Sequence, residues 1–335
     1  MQQKTILVTG GAGYIGSHSA WLLAKQGYKV VIIDRMLYGQ QPTWPWATII
    51  AGDIGNKELL CDIFQTYQID AVMHFAAFIE VGASVVDPRT YYANNVANTL
   101  TLLETMLTYG VKQLVFSSSC AVYGEPYYLP IDEQHQKQPM SPYGKTKLIV
   151  EQMLEDFDRA YGIRSMCLRY FNAAGAQPHE GLGEMHEPET HIIPLIFRAM
   201  QEGKPFVVFG NDYDTQDGTC VRDYVHVSDI ANAHLLALHH LQKGNPSDQF
   251  NLGTGRGYSI KELIDTAQQV CNMPLRVLYG KRRAGDPARL VACPAKAAAL
   301  LGWKPCYSEL AYIVRSAHAF SIQQKEQQAL CVHHL

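Results

Sequence analysis

Gly10, Gly13 and Gly16 stand in the run Gly10-Gly11-Ala12-Gly13-Tyr14-Ile15-Gly16, directly after the apolar segment Thr5–Thr9 and before a helical stretch reaching about Gln26. No other stretch narrows the fold so far. Glycines at this spacing permit a tight turn, close backbone approach to a pyrophosphate and close helix packing, while the helix start offers N–H donors to an anion. Such spacing also arises by chance, so the flanks decide its meaning. A second apolar segment, Lys29–Asp34, ends in an acid eighteen residues after the last glycine, where a carboxylate bonds the adenosine ribose of a dinucleotide. Asp34 would repel a 2′-phosphate and favours NAD over NADP, whereas adjacent Arg35 would suit the phosphate. The plainer alternative is a turn rich in glycine and a strand-end acid without a ligand.

Further βα units follow: strands near 48–51, 71–75 and 113–117, helices over 57–67 and 88–109. Their alternation predicts an α/β fold, a Rossmann-type doubly wound parallel sheet with a smaller C-terminal α/β substrate lobe. The expected division is 1–172 for the dinucleotide domain, with 220–255 returning to it, and 173–335 mainly for the substrate lobe. Ligands of such sheets bind beyond the carboxyl ends of the strands, and Asp53-Ile54, Phe75-Ala76-Ala77 and Ser117-Ser118-Ser119 fall there. Serine clusters also end strands by bonding local backbone. Gly, Pro and His crowd 175–194, consistent with a loop over the second lobe, and 320–335 reads as a frayed end.

Ser141-Pro142-Tyr143-Gly144-Lys145-Thr146-Lys147 opens the next helix, with Ser141 as N-cap and Pro142 in the first turn, and the helix should run to about Tyr161. Tyr143 and Lys147 share one face, continued by Val150, Leu154, Phe157 and Tyr161. That apolar stripe should face inward and carry the ammonium with it. A buried ammonium needs a partner. Lowering a phenol from its usual pKa of about 10 by three requires about 4 kcal/mol, and a cation 4 Å away at an effective dielectric of about 20 supplies that order. Tyr143, Lys147 and Ser119 across the cleft suit removal of a hydroxyl proton while hydride leaves the same carbon for NAD.

The chain has 335 residues, a formal net charge of -3, and eight cysteines without a Cys-x-x-Cys pair. That charge gives no reason to expect nucleic acid or an anionic membrane as partner, and reduced thiols are expected. No secretory-type segment opens the sequence and no long apolar run occurs, so a soluble cytoplasmic protein is expected. The adjacent pairs His239-His240 and His333-His334 lack metal-ligand spacing, and no metal is expected. Cys120 has no base at a readable spacing and reads as an inert buried thiol.

With these residues in view, the chain resembles the extended short-chain dehydrogenase/reductase family, and within it is similar to the UDP-glucose (UDP-galactose) 4-epimerases. The segments are Thr9–Gly16, His74–Ala77, Tyr92–Val96, Phe116–Gly124, Ser141–Lys147, Arg169–Gly175, Phe209–Tyr213, Asp217–Val227 and Arg283–Pro287. Asp217–Val227 discriminates most. The resemblance implies that Tyr143 is the base, that Lys147 lowers its pKa and bonds the nicotinamide ribose, and that Ser119 is a hydrogen-bonding shuttle. It places Gly10, Gly13, Tyr14, Ile15, Gly16, Asp34, Asp53, Ile54, Phe75, Ala76, Ala77 and Ser117 at the cofactor, with Asn94 and Tyr170 near the nicotinamide. Asn172, Phe209, Arg222, Arg283 and Asp286 would hold a UDP-sugar, guanidinium forks suiting a pyrophosphate. The plain readings are an ion pair of Arg222 with Asp223 and a solvated basic run for Arg283.

The implied reaction removes hydride from carbon 4 of the sugar, turns the ketose, and returns hydride to the other face, leaving NAD unconsumed. A homodimer through helices 88–109 and 143–161 is implied as well. Against relatives, Ile79 replaces a lysine at the cofactor, Ala77 a glycine, and His191 an asparagine at the substrate. Leu290, counted from Arg283 and Asp286, falls where sugar size is limited. UDP-pentoses and UDP-N-acetylhexosamines remain open as substrates. A dehydratase lacks its acid pair here, since Cys120-Ala121 follow Ser119. A net dehydrogenase would release NADH, and a non-catalytic NAD-binding scaffold or redox sensor would not need the intact Ser119, Tyr143 and Lys147.

Overall fold

A computed structural model describes residues 3–37, 44–283 and 286–332, the last six as backbone alone. Six short strands, β1 (Thr5–Thr9), β2 (Lys29–Asp34), β3 (Ala47–Ala51), β4 (Ala71–His74), β5 (Gln113–Ser119) and β6 (Arg164–Tyr170), pair with a later strand, Asp248–Leu252. Their order is Asp248–Leu252, β6, β5, β4, β1, β2, β3, and every pairing is parallel. β1 and β4 are buried throughout, which is why their apolar residues run continuously instead of alternating. The order reverses between β1 and β4, and a crevice opens there beyond the strand ends.

Helices cover both faces. On one, Tyr14–Lys25 and Val227–Gln242 pack with Ile6, Val8, Val30 and Ile32, and Trp303 is fully buried in the same core. On the other, Lys57–Tyr67, Asn98–Thr108 and Pro142–Tyr161 enclose Leu7, Val31, Leu102, Val150 and Leu154. A separate core joins helices Ile192–Glu202, Ile260–Cys271 and Leu310–Val332 around Ile196, Phe197, Leu263 and Ile313. It carries two small sheets: Phe206–Phe209 with Val277–Gly280, and Tyr258–Ser259, Val221–Arg222 and Arg289–Leu290.

The structure departs from the sequence reading in three places. The helix expected over 88–109 runs through Pro88–Tyr92 and Asn98–Thr108 with a wide helical turn, Ala93–Ala97, between them. At that turn the Asn95 side chain binds the backbone of Phe78 on both sides, N–H at 2.8 Å and C=O at 3.0 Å, and donates to Thr146 at 3.1 Å. Residues 320–332 are not a frayed end but the continuation of helix Leu310–Val332, anchored by buried Phe320; 333–335 and the His333-His334 pair lie outside the described residues. Tyr161, last of the inward stripe, is exposed, its ring edge against Phe157. Among the described residues no helix is long and apolar enough to cross a membrane, and the seven described cysteines are unbridged.

Candidate active site

The glycine turn after β1 works by exclusion of side chains. Gly10 has φ +67, and a Cβ there would stand 2.6 Å from Ala76 N; one on Gly16 would stand 2.2 Å from Gly10 O. Any larger residue would push turn, helix and β4 apart. Asp34, at the end of β2, accepts from Ala12 N at 3.0 Å and from Met36 N at 2.9 Å, which aims its carboxylate into the crevice. Arg35 turns aside to Asp53, 3.5 Å away, and to Asn94 Oδ1 at 3.2 Å. The guanidinium that left NADP open is thus engaged with a carboxylate.

A cleft follows the crevice, lined by Gly10, Gly13, Tyr14, Ile15, Gly16, Asp34, Asp53, Ile54, Phe75, Ala76, Ala77, Asn94, Ser117, Ser119, Tyr143 and Tyr170. The predicted cofactor residues therefore converge, Lys147 alone standing behind the wall. Ile79 lines it as well, so the expected loss of one cation is visible in the wall. Asn94 and Tyr170 both line it, Asn94 accepting from Arg35 and the Tyr170 hydroxyl bonded to Ser117 Oγ. These features fit a dinucleotide: a cradle open only while Gly10 and Gly16 lack side chains, a helix N-terminus above it, and an aimed carboxylate.

Ser141 caps the next helix by accepting from Gly144 N at 3.1 Å, and Pro142 opens the first turn. Lys147 then lies at 2% exposure, its Nζ donating to Ser117 O at 2.8 Å, 5.0 Å from the Phe116 ring centre and 5.8 Å from that of Tyr143. The inward ammonium has its partner in a backbone carbonyl. Burial pushes the Tyr143 phenol up to about 12, opposed by a hydrogen bond from Ser119, and lowers Lys147 to about 7, opposed by Glu151. In the chain alone desolvation outweighs the expected help from Lys147 to Tyr143. Cys120 is pushed up to about 12 by burial, as an inert thiol should be.

Beneath these residues lies a buried network that the motifs did not announce. Glu151 binds Arg169 through both oxygens at 2.8 and 2.6 Å and accepts from Ser118 at 2.6 Å. Arg169 reaches on to the Tyr123 hydroxyl at 2.9 Å, which donates to Asn251 at 2.6 Å. Glu151 follows Lys147 by one helical turn, a sequence signal for such a network. His74, at the end of β4, is held neutral: Thr99 donates to Asn95 O, so it accepts from His74 Nε2, and Nδ1 accepts from Thr9. Burial lowers its pKa to about 3.

A second cavity of ≈ 1210 Å³ meets the cleft at Asn172, Ala173, His186 and His191. Phe209, Arg222, Arg283 and Asp286 line it, four of the predicted substrate residues. Arg222 pairs with Asp286 and donates to Pro287 O at 2.9 Å; it does not pair with Asp223, whose carboxylate instead accepts from the Thr254 and Gly255 amides. Arg283 is exposed and lies 4.2 Å from the Phe209 ring centre. Leu290 lines neither cavity; paired with Arg222 across two strands, it packs against the core of Val122, Ile131 and Ala292.

His191 sits in a loop with Glu184, His186 and Glu189. Burial disfavours its charge, but its hydrogen bonds to the carboxylates of Glu184 and Glu189 raise it to about 10. Burial would raise Glu184, yet hydrogen bonds from His186 and His191 hold it below the usual carboxyl range.

The model of the NAD dependent epimerase/dehydratase family matches residues 6–253. The chain belongs to that family. Within the epimerase/dehydratase family, it is 47% identical to the UDP-glucose 4-epimerase of Halalkalibacterium halodurans over 332 residues, covering 96% of this chain and 99% of the other. The UDP-glucose 4-epimerase of Brucella ovis in complex with NAD superposes with a TM-score of 0.91 at 47% identity, over 95% of this chain and 98% of that one. A UDP-glucose-4-epimerase from Stenotrophomonas maltophila, with bound NAD and formylated UDP-arabinopyranose, gives 0.92 at 37% identity, over 98% and 100%. The fold of these epimerase/dehydratase structures is the Rossmann-type parallel sheet described above.

Proposed function

We propose that this chain is an NAD-dependent UDP-sugar 4-epimerase that interconverts UDP-glucose and UDP-galactose. The observation that carries the reading is the meeting of two cavities at one point. A dinucleotide cleft ending at Ser119, Tyr143 and Tyr170 opens at Asn172 into a cavity lined by Arg222 and Arg283. Residues 1–172 with most of 220–255 form the cofactor unit in this reading, and the rest, with strand Val221–Arg222, mainly the substrate lobe.

The cofactor would be held by the glycine turn, Asp34, Asp53, Asn94 and Lys147, and when bound it supplies a hydride acceptor that also brings positive charge to the site. Tyr143 takes the proton of the sugar 4-hydroxyl, with Ser119 bonded to both oxygens. Lys147, its Nζ 5.8 Å from the centre of the Tyr143 ring, steadies the phenolate by its positive charge. Arg222 and Arg283 hold the pyrophosphate while Phe209 covers the base. The cavity exceeds the usual ligand range of about 300–1,000 Å³, so a sugar can turn within it while the nucleotide stays fixed.

The protein acts as a cytoplasmic homodimer in this reading, the helices after Pro88 and Pro142 meeting their copies; exposed Leu100 and Tyr109 support that face. Purified protein should interconvert UDP-glucose and UDP-galactose without added nicotinamide and without net absorbance change at 340 nm. Inertness toward UDP-hexoses alongside turnover of UDP-arabinose would replace the hexose reading with the pentose one. Tyr143→Phe should lower turnover at least about a hundredfold with UDP binding retained; an unchanged rate removes Tyr143 as base.

A further inference from the structure

We propose that Glu184, His186, Glu189 and His191 bind one divalent transition-metal ion at the seam between the cofactor cleft and the substrate cavity. One donor atom from each residue can be taken so that all four lie within 4.8 Å of one another. They follow in a single loop as Glu-x-His-x-x-Glu-x-His, so one segment carries the whole donor set. Glu184 Oε1 is 3.0 Å from His186 Nδ1, and Glu189 Oε1 is 3.5 Å from His191 Nδ1. Metal bonds of about 2.0–2.2 Å in a tetrahedron place donors about 3.3 Å apart. Those two separations have that scale, whereas the Glu184–His191 pair is closer and would part to admit an ion.

Charge supplies an independent reason. The side chains of Glu184 and Glu189 are 10% and 5% exposed, and among the described residues neither forms an ion pair with a lysine or arginine. The two imidazoles face them, and Glu189 also accepts from the backbone N–H groups of Thr190 and His191 at 2.7 and 2.8 Å. Buried carboxylates without a permanent cation are costly, and a dication held by two of them would be neutralised in place. Two imidazoles with two carboxylates suit zinc, cobalt or manganese rather than calcium or magnesium. All four residues line the larger cavity and both histidines also line the cleft, so an ion has a path in. Bound there, it would fasten the 184–191 loop against both cavities. Tyr143 would not touch it.

The test uses the purified protein with its cofactor retained, stripped by a chelator and titrated with Co²⁺. We expect one Co²⁺ per chain with the visible bands of a four- or five-coordinate site. Affinity should fall at least about tenfold in His186→Ala and in Glu184→Gln. X-ray absorption of the loaded parent should show imidazole scattering, which keeps the site testable where a variant does not fold. Failure of the parent to bind, parent-like binding by both variants, or a cobalt shell without imidazole would each overturn the site and leave a hydrogen-bonded cluster only. Stoichiometry is read without substrate, so neither result depends on the epimerase reading.

Discussion

Burial works against charge on both Tyr143 and Lys147, pushing the phenol up to about 12 and the ammonium down to about 7. A proton-accepting Tyr143 therefore depends on the two charges stabilising one another. Replacing Lys147 with Met should move the alkaline rise of kcat/KM to higher pH and cut the rate at neutral pH by about a hundredfold. A pH profile identical to that of the parent would show that Lys147 only fills space. At the glycine turn, Gly16→Ala places a Cβ 2.2 Å from Gly10 O. The variant should be purified with little NAD, which acid release and absorbance would measure; normal cofactor content would contradict the cradle. Both positions were legible before any coordinates, since a glycine turn and a Tyr-x-x-x-Lys pair are local patterns. The carbonyl of Ser117 waiting for Lys147 was not, because nothing local ties residue 117 to 147.

Helix Pro142–Tyr161 carries more than its motif. Its cap, first-turn proline and inward face could be read from spacing, yet Glu151 belongs to a buried chain running through Arg169 and Tyr123 to Asn251. Removing one side of a buried pair costs about 3–5 kcal/mol, because the remaining charge stays unpaired. Glu151→Ala should lose about that much in urea denaturation, and Glu151→Leu with Arg169→Met should regain most of it. Equal losses in the single and double variants would show that packing, not charge, is at stake. The wide turn at Ala93–Ala97 is the counterpart: helical periodicity continues through it, and Asn95 there binds Phe78 and Thr146. Capping and periodicity are properties of one segment; a contact with another segment has no local signature.

Four histidines, His18, His74, His226 and His234, are buried neutral, with burial lowering them to about 4, 3, 3 and 4. Their folded pKa values lie below the unfolded value of about 6.5. Stability is therefore full above 6.5 and lost as pH falls toward 4, since the unfolded chain takes up protons that the fold refuses. Each contributes up to about 1.4 kcal/mol per pH unit in that window. The urea midpoint should fall steeply between pH 7 and pH 5; a flat midpoint there would mean these imidazoles are not buried neutral. None of this was visible in a count of thirteen histidines. The amino-acid order alone settled the parallel sheet, the glycine cradle, Asp34 and the Tyr143-Lys147 face, because each depends on residues a few positions apart. Folding decided what depends on residues far apart in sequence: that Arg222 meets Asp286, that Leu290 turns from the cavity, and that the loop carrying Glu184, His186, Glu189 and His191 stands between two cavities.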